Sequence, residues 1–196
     1  MRPAGIVTTY AGVTFRSRLE ARWAVFFDLM CIPWIYEPFD AHGYVPDFLL
    51  TGDRPLLVEV KPLSTTRPML PFLQKTVERC DPIWQGDMIV VGVTPLPTPH
   101  REPPWVGAVH PVAGVMAELM DEFDRARPLK DRYAPGFALW ARCSFCGKPG
   151  FFHGEMSYAI RPCGHHDGDH YLQELGPISD PNEVWMQTYD VTRWGR

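Results

Sequence analysis

No stretch of this 196-residue chain reaches the roughly 18 consecutive apolar residues of a membrane span, and its N-terminus lacks the apolar core of a secretory signal, so no membrane partner is expected. A basic surplus is missing too: 19 Lys and Arg stand against 23 Asp and Glu, a formal net charge of −4. No global positive field therefore advertises nucleic acid, and phosphate contacts would have to come from a local patch. Cysteine is scarce. Five residues without a secretion signal argue against a disulfide framework and point to a reducing cytoplasm. Internal repeats and low-complexity tracts are absent, which excludes a solenoid. What is present is a hydrophobic fraction of 45% with seven Trp, enough for a packed core, and 21 Pro, which imply stiff and irregular connections. The length suits one domain, or one domain with a small module.

The chain is organised around Tyr44-Val45-Pro46-Asp47-Phe48 followed by Val58-Glu59-Val60-Lys61. Tyr44 to Leu50 and Leu56 to Val60 are short, apolar and β-prone, and Thr51-Gly52-Asp53-Arg54-Pro55 between them is turn chemistry. The pattern predicts a β-hairpin. Alternation puts Leu57, Glu59 and Lys61 on one face and groups Val45, Asp47 and Leu49 on the other strand. If both sets share one face of the sheet, Asp47 and Glu59 converge with Lys61 beside them. Carboxylates and an amine in apolar strands are costly unless paired or bound to a metal. Mg²⁺ (or Mn²⁺) takes oxygen ligands, one or two of them carboxylates, and a neighbouring lysine can orient water or steady charge developing on a phosphate. The plain alternative is a hairpin with an ordinary Glu–Lys contact.

Pro46-Asp47-Phe48, a turn, and then hydrophobic-Glu59-Val60-Lys61 resemble the motif of the PD-(D/E)xK superfamily, the restriction-endonuclease-like nucleases. Phe15-Arg16-Ser17-Arg18-Leu19-Glu20-Ala21-Arg22-Trp23-Ala24 is similar to the helix preceding that motif in phage and bacterial members. The resemblance covers roughly the first half of the chain. It implies a metal-dependent nuclease with Asp47 and Glu59 as metal ligands, the Val60 carbonyl completing the site, Lys61 as the catalytic lysine and Glu20 as the helix carboxylate. Cleavage would leave a 5′-phosphate. Such folds also carry a polar residue back to the site from the following helix, where Gln74 and Lys75 are candidates; a solvated helix face explains them equally. Arg16 and Arg18 are candidate phosphate contacts or simply exposed helix charges. Ser17-x-x-Glu20 also fits a capping box, which gives Glu20 a purely structural alternative, while Thr14 is a competing helix start.

Periodicity predicts a helix from Phe15 to Met30 ended by Pro33, a strand at Trp34–Glu37, and a helix carrying Phe72, Leu73, Thr76, Val77 and Cys80. Met88 to Val93 reads as a buried strand. Val112, Val115, Met116, Leu119, Met120 and Phe123 predict an amphipathic helix. The expected fold is α/β: a restriction-endonuclease-like core over 1–127, with a central mixed sheet flanked by helices, then a linker over 128–136 and a small module over 137–196.

That module contains Cys143-Ser144-Phe145-Cys146-Gly147 and Cys163-Gly164-His165-His166. Two short ligand pairs separated by a hairpin-length segment predict a structural Zn²⁺ held by Cys143, Cys146, Cys163 and His166, with His165 and His170 as rivals for the fourth place. Free thiols or a redox pair are the alternatives. The leading expectation is a metal-dependent DNA endonuclease of a bacterial or phage-infected cell, acting in recombination, replication or defence, with DNA as partner and a homodimer or larger complex as its setting. A non-catalytic nucleic-acid or protein-binding module on the same fold, and a nuclease subunit active only inside a machine, are the other two.

Overall fold

A computed structural model describes residues 5–81, 83–95, 112–119, 133–143, 146–153, 158–160 and 181–193. A small hairpin, β1 (Thr8–Tyr10) with β2 (Val13–Phe15), leads into helix α1 (Arg18–Leu29). Then come β3 (Trp34–Tyr36), β4 (Phe48–Leu50), β5 (Leu56–Val60), helix α2 (Leu70–Cys80), β6 (Asp87–Val91), β7 (Val112–Leu119), β8 (Tyr133–Arg142), β9 (Pro149–His153), β10 (Tyr158–Ile160) and helix α3 (Pro181–Arg193). β3 to β10 form one mixed sheet in the order β10-β9-β8-β7-β6-β5-β4-β3. Every neighbouring pair is antiparallel except β5 and β6, which run parallel because α2 carries the chain across between them. Among the described residues no helix is long and apolar enough to cross a membrane.

Alternation along the strands divides the core in two. Phe48, Leu50, Leu56, Val58, Val60, Ile89, Val91, Met116, Trp140 and Phe151 face the layer made by α1 and α3. Leu57, Met88, Val90, Val115 and Ala117 face Leu73, Val77 and Cys80 of α2. The α1 side is aromatic: Trp23 touches Phe26, Phe27 and Trp185, and Phe26 meets Trp140 edge-on at 5.2 Å. Trp23 also donates its indole N–H to the Gly92 carbonyl at 2.9 Å, which fastens α1 to the end of β6. At the other end of β6, Asp87 is buried and satisfied by a two-pronged contact with Arg54, whose Nε is 2.7 Å from its Oδ2 and Nη2 3.3 Å from its Oδ1.

Two expectations are corrected. Residues Val112 to Leu119 are a strand, not a helix. Ala113 to Ala117 are buried on both faces between β6 and β8, so the apolar run has no period of two, and its helix-like spacing is incidental. The segment expected as a linker is already strand from Tyr133, and β8 and β9 extend the same sheet. Trp140, Phe151 and Trp185, placed by sequence in a separate module, belong to the core that contains Phe26 and Phe48. Pro135 and Gly136 look like linker punctuation but serve the strand: Pro135 is exposed, and the missing side chain at Gly136 makes room for the buried ring of His153, which a Cβ there would meet at 2.1 Å.

Candidate active site

The β4–β5 register pairs Phe48 with Val58 and Leu49 with Leu57. One step further, Asp47 stands opposite Glu59, both on the α2 side with Leu49 and Leu57. Only Phe48 to Leu50 of the longer strand expected from Tyr44 is paired, so Asp47 sits where the chain leaves the sheet. It is nonetheless 97% buried by its surroundings, with a relative exposure of 3%, and Glu59 is at 5%. Asp47 Oδ2 accepts from the Val60 N–H at 2.7 Å and lies 3.7 Å from Lys61 Nζ. Lys61 Nζ donates to Glu59 Oε1 and, at 2.9 Å, to the Val60 carbonyl, while lying 5.8 Å from the Phe72 ring centre. Glu59 Oε2 is buried without a hydrogen-bond partner.

Arg16 closes the other side. Its Nη2 is 2.7 Å from Asp47 Oδ1 and its Nε 2.9 Å from Glu37 Oε1 and 4.0 Å from Glu20 Oε2. Burial works against the guanidinium charge, but Tyr36, Asp47 and Glu20 outweigh it and keep Arg16 protonated. Glu37 holds its backbone at a φ of 48° while its N–H donates to the Asp47 carbonyl at 3.0 Å. A left-handed glutamate is an uncommon and costly conformation, here tied to the site's own backbone.

Glu20 takes up the structural alternative that its spacing from Ser17 offered. Ser17 is the N-cap of α1: its hydroxyl accepts from the Glu20 N–H at 3.2 Å and donates to Glu20 Oε1 at 2.8 Å. Glu20 Oε2 takes the Arg16 N–H at 3.2 Å and the Tyr36 hydroxyl at 2.7 Å, and burial followed by that bond pushes Tyr36 up to about 12. This is half of a capping box, with Glu20 reaching back to the Arg16 N–H instead of that of the cap residue, and Thr14 does not start the helix. Glu20 is linked to Asp47 through Arg16 and its charge also bears on Asp47, but among the described residues no three His, Cys, Asp or Glu side chains come together as a metal-holding group. Arg18 is half-buried with its charge bearing on Arg22, and Gln74 is turned along its helix to Glu78 at 2.9 Å. Lys75 does lean inward, its Nζ 5.6 Å from the centre of the Tyr44 ring.

Tyr44 and Glu37 were not singled out in the sequence as site residues. The Tyr44 hydroxyl bonds to Thr76 at 2.8 Å, and burial, then the Glu59 charge, holds its proton on. Their only sequence signal is adjacency to the motif, because the contacts span loops. Asp47 itself is raised to about 7, first by burial and then by the Glu59 charge, against the pull of Lys61 and the Val60 N–H. A carboxyl whose folded pKa exceeds its unfolded value of about 3.9 takes up a proton on folding. Its contribution to stability is therefore fully present below about pH 4 and is lost as pH rises through about 7. With a chelator present, urea unfolding at about pH 5 and about pH 8 is expected to show a smaller stability loss in Asp47→Asn than in the wild type.

The expected zinc residues are only partly described. Cys143, buried, directly follows β8, and Cys146, exposed, lies in the turn to β9. The Gly147 N–H donates to the Cys143 carbonyl at 2.8 Å, and Gly147 takes a φ of 68°, which its lack of a Cβ permits. Cys163, His165, His166 and His170 lie outside the described residues. No protein-family model, curated protein or solved structure matches the chain.

Proposed function

We propose that this chain is a metal-dependent DNA endonuclease of the restriction-endonuclease-like type, with Asp47, Glu59 and Lys61 as its working residues. The observation that carries the reading is a pair of buried carboxylates, Asp47 and Glu59, close enough that the charge of the second raises the proton affinity of the first. Two buried carboxylates side by side are costly, and a hard cation is a partner that suits their oxygens. Two carboxylates and a nearby carbonyl suffice for Mg²⁺ or Mn²⁺, which keeps water and substrate phosphate for its remaining positions.

When bound, such an ion supplies Lewis acidity toward the phosphate and acidity to water. The protein's own part follows from its contacts. Asp47 is held by the Val60 N–H, so its carboxylate cannot swing away. Lys61, anchored on Glu59 and the Val60 carbonyl, keeps an ammonium where an attacking water can be oriented and charge on the phosphate can be steadied. Tyr44 and Thr76 wall the site from the α2 side. Glu20 serves indirectly by capping α1 and placing Arg16.

Support for the zinc reading is the turn that presents Cys143 and Cys146, together with the β9–β10 register. Ile160 pairs with Phe151, at the sheet end nearest that turn, and Cys163 follows three positions later in the sequence. Thiolate and imidazole donors in closed pairs suit zinc.

The test is direct. Purified protein is expected to nick or cut plasmid or branched DNA with Mg²⁺ or Mn²⁺ and to stop when EDTA is added. Metal-dependent DNA binding with no cleavage of any DNA form would instead favour a binding module or a subunit that needs its assembly.

A further inference from the structure

Two cations stand against the site's carboxylates: Lys61 at Glu59 and Asp47, and Arg16 at Asp47. Asp47 has two oxygens. Oδ2 is taken inward by the Val60 N–H and approached by Lys61. Oδ1 is taken by Arg16, whose Nη2 lies 2.7 Å from it. Asp47 is fixed, being buried and at the end of a paired strand. The Arg16 side chain is 55% exposed, and its further anchor, Glu37, is itself 37% exposed. A long, half-exposed side chain therefore meets a buried carboxylate at one of its two oxygens, beside the second buried carboxylate, Glu59.

We infer that Arg16 is a displaceable counter-charge: its guanidinium holds Asp47 Oδ1 until a divalent cation arrives, and must withdraw for that cation to bind both Asp47 and Glu59. The inference rests on the metal-site reading above and adds how the site is regulated. Arg16 competes with the metal, and the apparent metal affinity contains the cost of breaking its contact with Asp47. Withdrawal leaves the Glu37 contact available to hold the guanidinium aside. Arg16 is thus a positioning residue, acting through Asp47, and a substitution that removes only its charge makes the site easier to load.

Isothermal titration of Mn²⁺ into full-length protein tests this without relying on activity. Arg16→Gln, which keeps a polar side chain of similar reach, is expected to bind Mn²⁺ about tenfold more tightly than the wild type, the factor a charge-assisted hydrogen bond is worth in competition. Arg16→Ala gives an independent variant, and thermal melting in EDTA shows that each is folded. Glu59→Gln serves as the site control and is expected to lose the binding. Equal or weaker Mn²⁺ affinity in folded Arg16→Gln and Arg16→Ala overturns the counter-charge inference while leaving the metal site intact. Binding that survives Glu59→Gln, or no binding by any of the proteins, overturns the metal-site reading and the inference with it.

Discussion

Replacing Lys61 with Met is expected to reduce Mg²⁺-dependent DNA cleavage about a thousandfold, the order of loss seen when one preorganised charge-stabilising donor is removed. The methionine keeps much of the aliphatic stem against Phe72 and removes only the ammonium. Its two hydrogen bonds, to Glu59 Oε1 and to the Val60 carbonyl, vanish with it, as does the 3.7 Å approach to Asp47 Oδ2. Both groups would still be present to hold a metal, so metal binding should persist while turnover falls. Asp47→Asn is expected to lose at least as much activity through a different route. The amide still accepts from the Val60 N–H through its oxygen, but its uncharged NH₂ then faces the Arg16 guanidinium, and a metal ligand is gone. First-order rates of supercoiled-plasmid nicking measure both, and melting curves show whether the fold is retained. Variants that cut at the wild-type rate would falsify the assignment of Asp47 and Lys61.

Trp23→Ala is expected to be the most damaging core substitution, at about 3–5 kcal/mol, the range for truncating a fully buried large aromatic. Trp23 has no exposure, stacks among Phe26, Phe27 and Trp185, and gives the Gly92 carbonyl a hydrogen bond. Its loss leaves both a void and an unpaired acceptor at the end of β6. For a chain of this size the loss corresponds to a fall in melting temperature of about 10 °C or more. Urea denaturation monitored by circular dichroism checks it. A shift of under about 1 kcal/mol would mean that the α1–α3 contact is not part of the stable core.

The site's centre was legible because strand parity is a hard constraint: once Tyr44–Leu50 and Leu56–Val60 are paired as a hairpin, Asp47 and Glu59 can share a face and Lys61 follows two residues on. α1, α2, β3 and β6 were likewise readable from periodicity and, for α1, from the stop at Pro33. The second half was not. β7 is buried on both faces, which erases the alternation that identifies a strand, and its Val112, Val115, Met116 and Leu119 happen to fall at helical spacing. Gly114 in the middle of that run was the available warning, since glycine disfavours a helix, and a Cβ there would meet the Val90 carbonyl at 2.1 Å. α3 was not anticipated, although Pro181 in its first turn and Glu183 beside it are start signals and Val184, Trp185, Thr188 and Thr192 form its buried stripe. Its docking partner was not readable, because no local pattern says that Trp185 meets Trp23. The Arg16–Asp47–Glu37 contacts were hidden for the same reason: they join a loop, a strand end and a left-handed residue far apart in sequence.

That docking of α3 on α1 has a consequence for biosynthesis. The ribosome makes α1 near the start and α3 near the end, yet Arg22 of the first rests 4.0 Å from the ring centre of Tyr189 in the second, and bonds Thr192 at 3.3 Å. Until α3 emerges, the aromatic flank of α1 has no native cover, however well the first hairpins have formed. Contacts so distant in sequence close late, and transiently bare apolar surface is what chaperones recognise. A nascent chain halted before residue 181 should therefore stay dependent on them, even though the proposed catalytic side chains have long since left the exit tunnel.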